Sequence, residues 1–388
     1  MNVATRRKAR PADASPPSID LCKAPRALVL QGGGALGAYQ AGAYEALAQA
    51  GVEPQWVAGV SIGAINSALI AGNAPEHRVE RLREFWELVS SQPAQRLPTW
   101  WGSRGLQNQF SAQAALLTGI PGFFLPRPDP TLVLGSAAQA LSYYDTAPLK
   151  ATLERLVDFD RINSCRASLA FTVGAVDVRS GESRYFSNGD AKHPIRAEHV
   201  MASGALPPGF PPVHIDGRDY WDGGLVSNTP VREVLLRRDP LKPLVVYQVD
   251  LFNAHGLMPT TMSTVMERQK DIMYASRTEL NKELLAQRHA VHASVLELLD
   301  RLPASWQDDA QVRHLREQLQ LAPVQIYHLI YKDRPIDLDS KDYEFSRASM
   351  LEHWEAGLDD MHKALRGTAT SARAGSGVSI FDGVTASC

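Results

Sequence analysis

Two short apolar runs, "RALVL" at Arg26–Leu30 and "WVAGV" at Trp56–Val60, have the length of buried strands and stop abruptly at small residues. After the first comes "QGGGALG" and then "GAYQAGAYEALAQA", with Ala and Leu at helical spacing and Gly51 where a C-cap belongs. After the second comes Ser61 and then "IGAINSALIAGN", whose small and aliphatic residues suit a tightly buried helix closed by Gly72 or Asn73. Strand, glycine loop, helix, strand, turn and helix in that order predict parallel strands with crossover helices, hence an α/β layer architecture.

The pattern continues downstream. "EHRVERLREFWELV" is an amphipathic helix, and Thr146 followed by Pro148 opens another over "LKATLERLVDF". "ASLAFTVGAVDV" and "SRYFS" read as strands joined by "RSGE", while "VHI" and "RDYWD" read as a hairpin turning at Asp216-Gly217. Thr229-Pro230 starts a helix and "LVVYQVDLF" is one more buried strand. Residues 24–252 therefore form the expected catalytic domain, interrupted at 92–135 by an irregular, lid-like insertion rich in Pro and aromatics: Trp100, Trp101, Phe110, Phe123 and Phe124. Residues 253–366 read as a mostly helical C-terminal extension carrying the strand "VQIYHLIYK", with nothing in it that suggests chemistry. Residues 1–23 read as a disordered arm and 367–388 as a flexible tail.

The 40 basic and 42 acidic residues leave a net charge of −2, which argues against nucleic acid as a partner. Cys22, Cys165 and Cys388 are too far apart for a zinc site or a disulfide framework, so a reducing compartment is expected. Arg6, Arg7, Lys8 and Arg10 are followed by Pro, Ser and Ala instead of an apolar signal-peptide core, and no run approaches the ~20 apolar residues that span a bilayer. The expectation is a cytoplasmic protein. Contact with a membrane surface would be peripheral and local, through 96–127, whose stretch from Trp100 to Phe124 contains Arg104 and no acid.

"GVSIG" at Gly59–Gly63 fits G-x-S-x-G between a strand and a helix, the setting in which that pattern makes a nucleophile elbow. Gly59 and Gly63 let a sharp turn close, and Ser61 is presented at a helix N-terminus, where a developing anion is favoured. A serine hydroxyl needs a base. His255, His289, His314 and His328 follow Ser61 in the chain, but none has a signalling context. His292 shares the charged helical region of His289, and His193, His199 and His214 also lack a loop motif that would fix an imidazole. "YWDGGLVSNTP" offers another base in Asp222, at a strand end before Gly223-Gly224. At its reference pKa of ~3.9 an aspartate is a poor base, so desolvation would have to raise it; alone, Asp-Gly-Gly is better read as a turn.

The glycines of "LQGGGALGAYQAG" space Gly32, Gly34 and Gly37 as G-x-G-x-x-G. A dinucleotide loop would want an acid at the end of the second strand, where this chain has Ser61; Glu53 lies before that strand. Unhindered amides beside a helix N-terminus still bind negative charge, and in acyl transfer that charge is an oxyanion.

Glycine loop, G-x-S-x-G and D-G-G in this order resemble the patatin-like phospholipases. The resemblance runs from about Ala27 to Phe252 and includes "ASGALPPGFPPV". It implies a patatin-like, modified α/β-hydrolase fold with a mainly parallel sheet, and a Ser–Asp dyad with Ser61 as nucleophile and Asp222 as proton acceptor. It also implies Gly32, Gly33, Gly34 and Gly37 as the oxyanion loop, Gly59, Gly63, Gly223 and Gly224 as motif glycines, and no cofactor or metal. Many relatives have Arg where Leu36 stands. The implied activity is lipid ester hydrolysis of phospholipase A or lysophospholipase type. Esterase action on neutral esters or hydroxyalkanoate oligomers is the alternative, and a non-catalytic anion- or nucleotide-binding scaffold is the rival from another class.

Overall fold

The computed structural model describes residues 24–92, 104–127, 141–164, 169–190, 192–276, 278–332, 340–370 and 378–382. The arm 1–23, the three cysteines, Trp100 and Trp101 lie outside them. The strands are β1 (Arg26–Leu30), β2 (Trp56–Val60), β3 (Leu125–Pro126), β4 (Tyr144–Asp145), β5 (Ala170–Asp177), β6 (Ser183–Ser187), β7 (Val213–Ile215), β8 (Arg218–Asp222), β9 (Leu244–Asp250), β10 (Val324–Ile330) and β11 (Val378–Asp382). A nine-stranded sheet runs β11-β10-β9-β1-β2-β5-β8-β7, with β6 also paired to β5, and β3 and β4 form a separate small ribbon. From β11 to β5 every pairing is parallel; β6, β7 and β8 are antiparallel. The fold is therefore α/β, with a mixed, mostly parallel sheet flanked by helices.

Alternation along β1 explains why the sheet is covered on both faces. Leu28 and Leu30 enter the larger core with α1 (Gly37–Gln49), α2 (Ile62–Ala71) and α3 (Arg78–Val89), whereas Ala27 and Val29 enter a smaller core with Val231, Val234, Val246 and Ile326. Parallel strands with helices on both sides are covered on both faces, and β9 is buried at every position, its polar Gln248 and Asp250 included. Chain direction across the sheet diverges at β1: β2 lies on one side of it, β9 and β10 on the other. Ligand crevices of open α/β sheets form outside the carboxyl ends of strands at such a point.

Three sequence expectations change. The stretch 92–135 contains the helix Arg104–Thr118 and is not wholly irregular. The region after Phe252 is built into the fold: β10 pairs with β9 over seven residues, and the C-terminal helix Arg347–Thr370 crosses α1. At that crossing a methyl on Gly42 would meet the Trp354 carbonyl and one on Gly357 would meet the Tyr39 carbonyl, so the two backbones touch. Finally, β11 falls in the expected tail, because β10 has a free edge that a further parallel strand completes.

Candidate active site

Ser61 is the first residue beyond β2 and has φ 55°, ψ −124°; the other non-glycine with positive φ among the described residues is Asp216, in the β7–β8 turn. A conformation this sparsely populated costs about 1–3 kcal/mol and persists only when neighbours enforce it. Gly63 sits against the carbonyls of Leu30 and Gln31 and Gly59 against the backbone of Gly63 and Ala64, leaving no room for a Cβ at either. The Ser61 N–H donates to Ser203 at both the carbonyl oxygen (3.1 Å) and Oγ (3.0 Å), while Ser203 Oγ–H donates to the Gly174 carbonyl at 2.6 Å.

Register along β5 brings Asp222 to this elbow. Val60, just before Ser61, is opposite Gly174, and Asp222 is opposite Ala175, the next residue. The Asp222 N–H donates to the Ala205 carbonyl at 3.0 Å, so Ser203 and Ala205, both in "ASGALPPGFPPV", hold one member of the pair each. Asp222 is 3% exposed, and its carboxylate accepts from the Gly224 N–H at 2.7 Å. Burial pushes its pKa up to about 7, against the lowering effect of the Gly224 N–H and of the nearby Ser61 hydroxyl.

The four glycines expected to present amides do not behave alike. The Gly32 N–H already donates to the Asn228 carbonyl (3.1 Å), and the Gly37 N–H to the Gly34 carbonyl. The amides of Gly33 and Gly34 donate to no acceptor among the described residues. Gly34 has φ +54° and lies under the Asp342 carbonyl, which also accepts from the Ala35 N–H at 2.8 Å. Leu36 is fully buried in the larger core, so its side chain faces away from any ligand on the loop.

Beneath the loop, Gln31 joins several segments. Its Oε1 accepts from the N–H groups of Leu251 (2.6 Å) and Phe252 (3.0 Å), and its Nε2 donates to Thr229 Oγ1 (2.9 Å) and the Tyr274 carbonyl (3.1 Å). Asn228 Nδ2 donates to the carbonyls of Gly32 (3.0 Å) and Tyr274 (3.1 Å). Neither Gln31, in "LQGGGALG", nor Asn228, in "YWDGGLVSNTP", stands out from its neighbours in the sequence.

A cavity of about 310 Å³ opens from Ser61, Asp222 and Gly32–Gly34. Its walls are apolar: Ile62, Ile65, Phe123, Phe124, Phe210 and Phe345 among others. Phe123 and Phe124 thus leave the expected lid and join an aromatic cluster with Phe210 and Phe345. Tyr274, Asp342, Tyr343 and Phe345 bring the C-terminal region into the cavity wall, against the expectation that nothing there bears on chemistry. Among the described lining residues there is no His, Lys or Arg. His328 is instead buried 2.6 Å from Asp250, and His199 Nδ1 accepts from the Arg196 N–H. His193 and His214 make exposed pairs with Asp216 and Asp219, and no metal-holding group of His, Cys, Asp and Glu occurs among the described residues. No described helix is long and apolar enough to cross a membrane.

A family model described as patatin-like phospholipase matches residues 28–235, and a second, described as patatin phospholipase, matches 272–375. No curated protein matches the chain. Among solved structures it is similar to VipD from Legionella pneumophila, with 14% identity, 89% of this chain and 67% of that one covered, and a TM-score of 0.39. For human GIVD cytosolic phospholipase A2 the values are 10%, 58%, 45% and 0.33. For ExoU in complex with SpcU from Pseudomonas aeruginosa they are 17%, 63%, 47% and 0.27, so the chain spans less than half the length of the last two. With the first family model covering more than half of its residues, the chain belongs to the patatin-like phospholipase family.

Proposed function

We propose that the chain is a serine acyl hydrolase in which Ser61 and Asp222 form the catalytic dyad. The observation that carries this reading is the strained elbow that sets Ser61 beside a buried carboxylate, whose pKa burial raises to about 7 and the Ser61 hydroxyl in part lowers. Such a carboxylate is matched to accepting a proton near neutral pH, which an ordinary aspartate is not. As Ser61 Oγ attacks the ester carbonyl, its proton passes to Asp222 and then to the departing alcohol. The carbonyl oxygen, now negative, accepts from the uncommitted amides of Gly33 and Gly34, each such donor contributing ~3 kcal/mol to the transition state. Gly32 and Gly37 shape this loop instead of donating from it. Water then attacks the acyl-enzyme with Asp222 again as base.

Family membership and an apolar cavity support a lipid ester of phospholipase A or lysophospholipase type, bound by its acyl chain. A neutral ester is favoured by a specific observation: no described lining residue is cationic, and Leu36, in the usual arginine position, is buried away from the loop. Purified protein should be labelled by a fluorophosphonate probe and should hydrolyse members of a lipid and ester panel, with Ser61→Ala inert in both assays. Folded wild-type protein that takes up no label would leave the binding-scaffold reading in its place.

A further inference from the structure

Asn228 has an oxygen that the fold does not use. The two carbonyls beside its amide, from Gly32 and Tyr274, can only accept, so the NH₂ group must face them and Oδ1 must point the other way. Asn228 lines the catalytic cavity, and its Oδ1 lies against Gly32 and Gly224. A methyl built on Gly224 would lie 2.9 Å from Asn228 Oδ1 and 3.1 Å from Asp222 Oδ1. One built on Gly32 would overlap Asn228 Oδ1 and lie 2.9 Å from Ser61 Cβ. The lack of a side chain at both glycines therefore lets Asn228 Oδ1 come close to Asp222 and Ser61, and no described group donates to Asn228 Oδ1.

We propose that Asn228 Oδ1 holds the deacylating water. The inference rests on the dyad reading above. A water molecule has two protons, and a general base takes one of them; an acceptor on the second fixes the direction of the oxygen lone pair. Asp222 receives one proton as the water oxygen bonds to the acyl carbon, and Asn228 accepts a hydrogen bond from the other. The tetrahedral intermediate then breaks its bond to Ser61 Oγ, which regains a proton from Asp222, and the product leaves as the carboxylic acid. The carbonyl of the same residue fixes the Gly32 N–H, so one side chain and its backbone hold both the loop and the water.

Acylation needs no such water, so the two half-reactions separate the idea from a structural role. With a p-nitrophenyl ester, Asn228→Ala loses the amide that holds Gly32, so fluorophosphonate labelling and the nitrophenol burst should slow. Steady-state turnover should fall at least tenfold further than either, with acyl adduct accumulating by intact mass. Hydroxylamine, a nucleophile that needs no held water, should restore turnover by releasing the hydroxamate. If labelling, burst and turnover fall in parallel, or no adduct accumulates, the assignment is overturned. Should the variant fail to fold, the phosphonylated wild-type crystal structure decides: an ordered water bonded to both Asn228 Oδ1 and Asp222 is expected, and a water touching Asp222 alone, or none, overturns the proposal. A wild type that takes no label and hydrolyses no ester would instead sink the dyad reading itself.

Discussion

The elbow that carries Ser61 and the glycine loop beside it are both backbone structures under constraint, yet they are held in different ways. The elbow is fixed by the end of β1 and by Ser203, a helix end packed directly on it and tied to Gly174 within β5. The loop is fixed from remote sequence: Asn228, the Leu251–Phe252 strap through Gln31, and the Asp342 carbonyl. A nucleophile needs one strained residue, which a few close backbone contacts can enforce. An anion cradle needs several amides left without partners, and such a segment has few hydrogen bonds of its own to hold it. Supports from elsewhere in the chain replace them.

This contrast can be broken at either end. The largest effect is expected from Asp222→Asn, which should lower kcat by about 10²–10⁴, measured on the best ester of a panel, while wild-type kcat/KM rises with pH through about 7 as Asp222 ionises. The same variant should be more stable. Burial disfavours the ionised carboxylate, so the native state loses stability as pH rises from the unfolded value near ~4 to about 7, and the penalty is complete above that. Denaturant titrations should therefore show Asp222→Asn gaining up to about 4 kcal/mol at pH 8 and little at pH 4; an equal gain at both would refute burial as the cause of the raised pKa.

On the loop side, Gln31→Leu strands the buried amides of Leu251 and Phe252 and should cost about 2–5 kcal/mol, with activity falling because Gly33 rests on Leu251 and Phe252. Unchanged stability would mean that the strap holds without Gln31. Gly34→Ala puts a methyl at positive φ against the Asp342 carbonyl and should cost about 1–3 kcal/mol while lowering kcat more than it raises KM. The smallest effect belongs to Lys270→Met. Lys270 pairs with Asp342 at 2.7 Å in a half-buried position, and its removal should cost no more than about 1 kcal/mol by thermal denaturation. A larger loss there, with weakened activity, would mean that the ion pair sets the height of the Asp342 carbonyl over the loop.

What the sequence makes legible follows the same division. β1, β2, the hairpin of β7 and β8, and the strand at β10 all announce themselves through apolar runs ended by turn residues, and the elbow has its own pattern. The C-terminal contribution has no such signal, and the helix Met262–Tyr274 shows why. Its apolar residues Met262, Met266 and Met273 are half or more exposed, whereas Asp271 and Glu267 turn inward to pair with the buried Lys341. Hydrophobic periodicity assigns the inner face of such a helix wrongly. Asp342 acts through its backbone carbonyl, for which no residue type is required. Among the glycines, spacing alone could not tell Gly32 and Gly37, whose amides are taken, from Gly33 and Gly34, whose amides are not.

The bond from the Ala35 N–H to the Asp342 carbonyl also sets an order of events during synthesis. A nascent chain carries the glycine loop and Ser61 from its first stages, and the hairpin with Asp222 later, but nothing yet lies over the loop. At about 5–20 residues per second, the ribosome takes roughly 15–60 s more to travel from Ala35 to Asp342. Through that interval the nucleophile has no finished cradle. If the dyad reading holds, competence waits for synthesis to pass Asp342, and a chain released before that residue should be inert without any separate inhibitor.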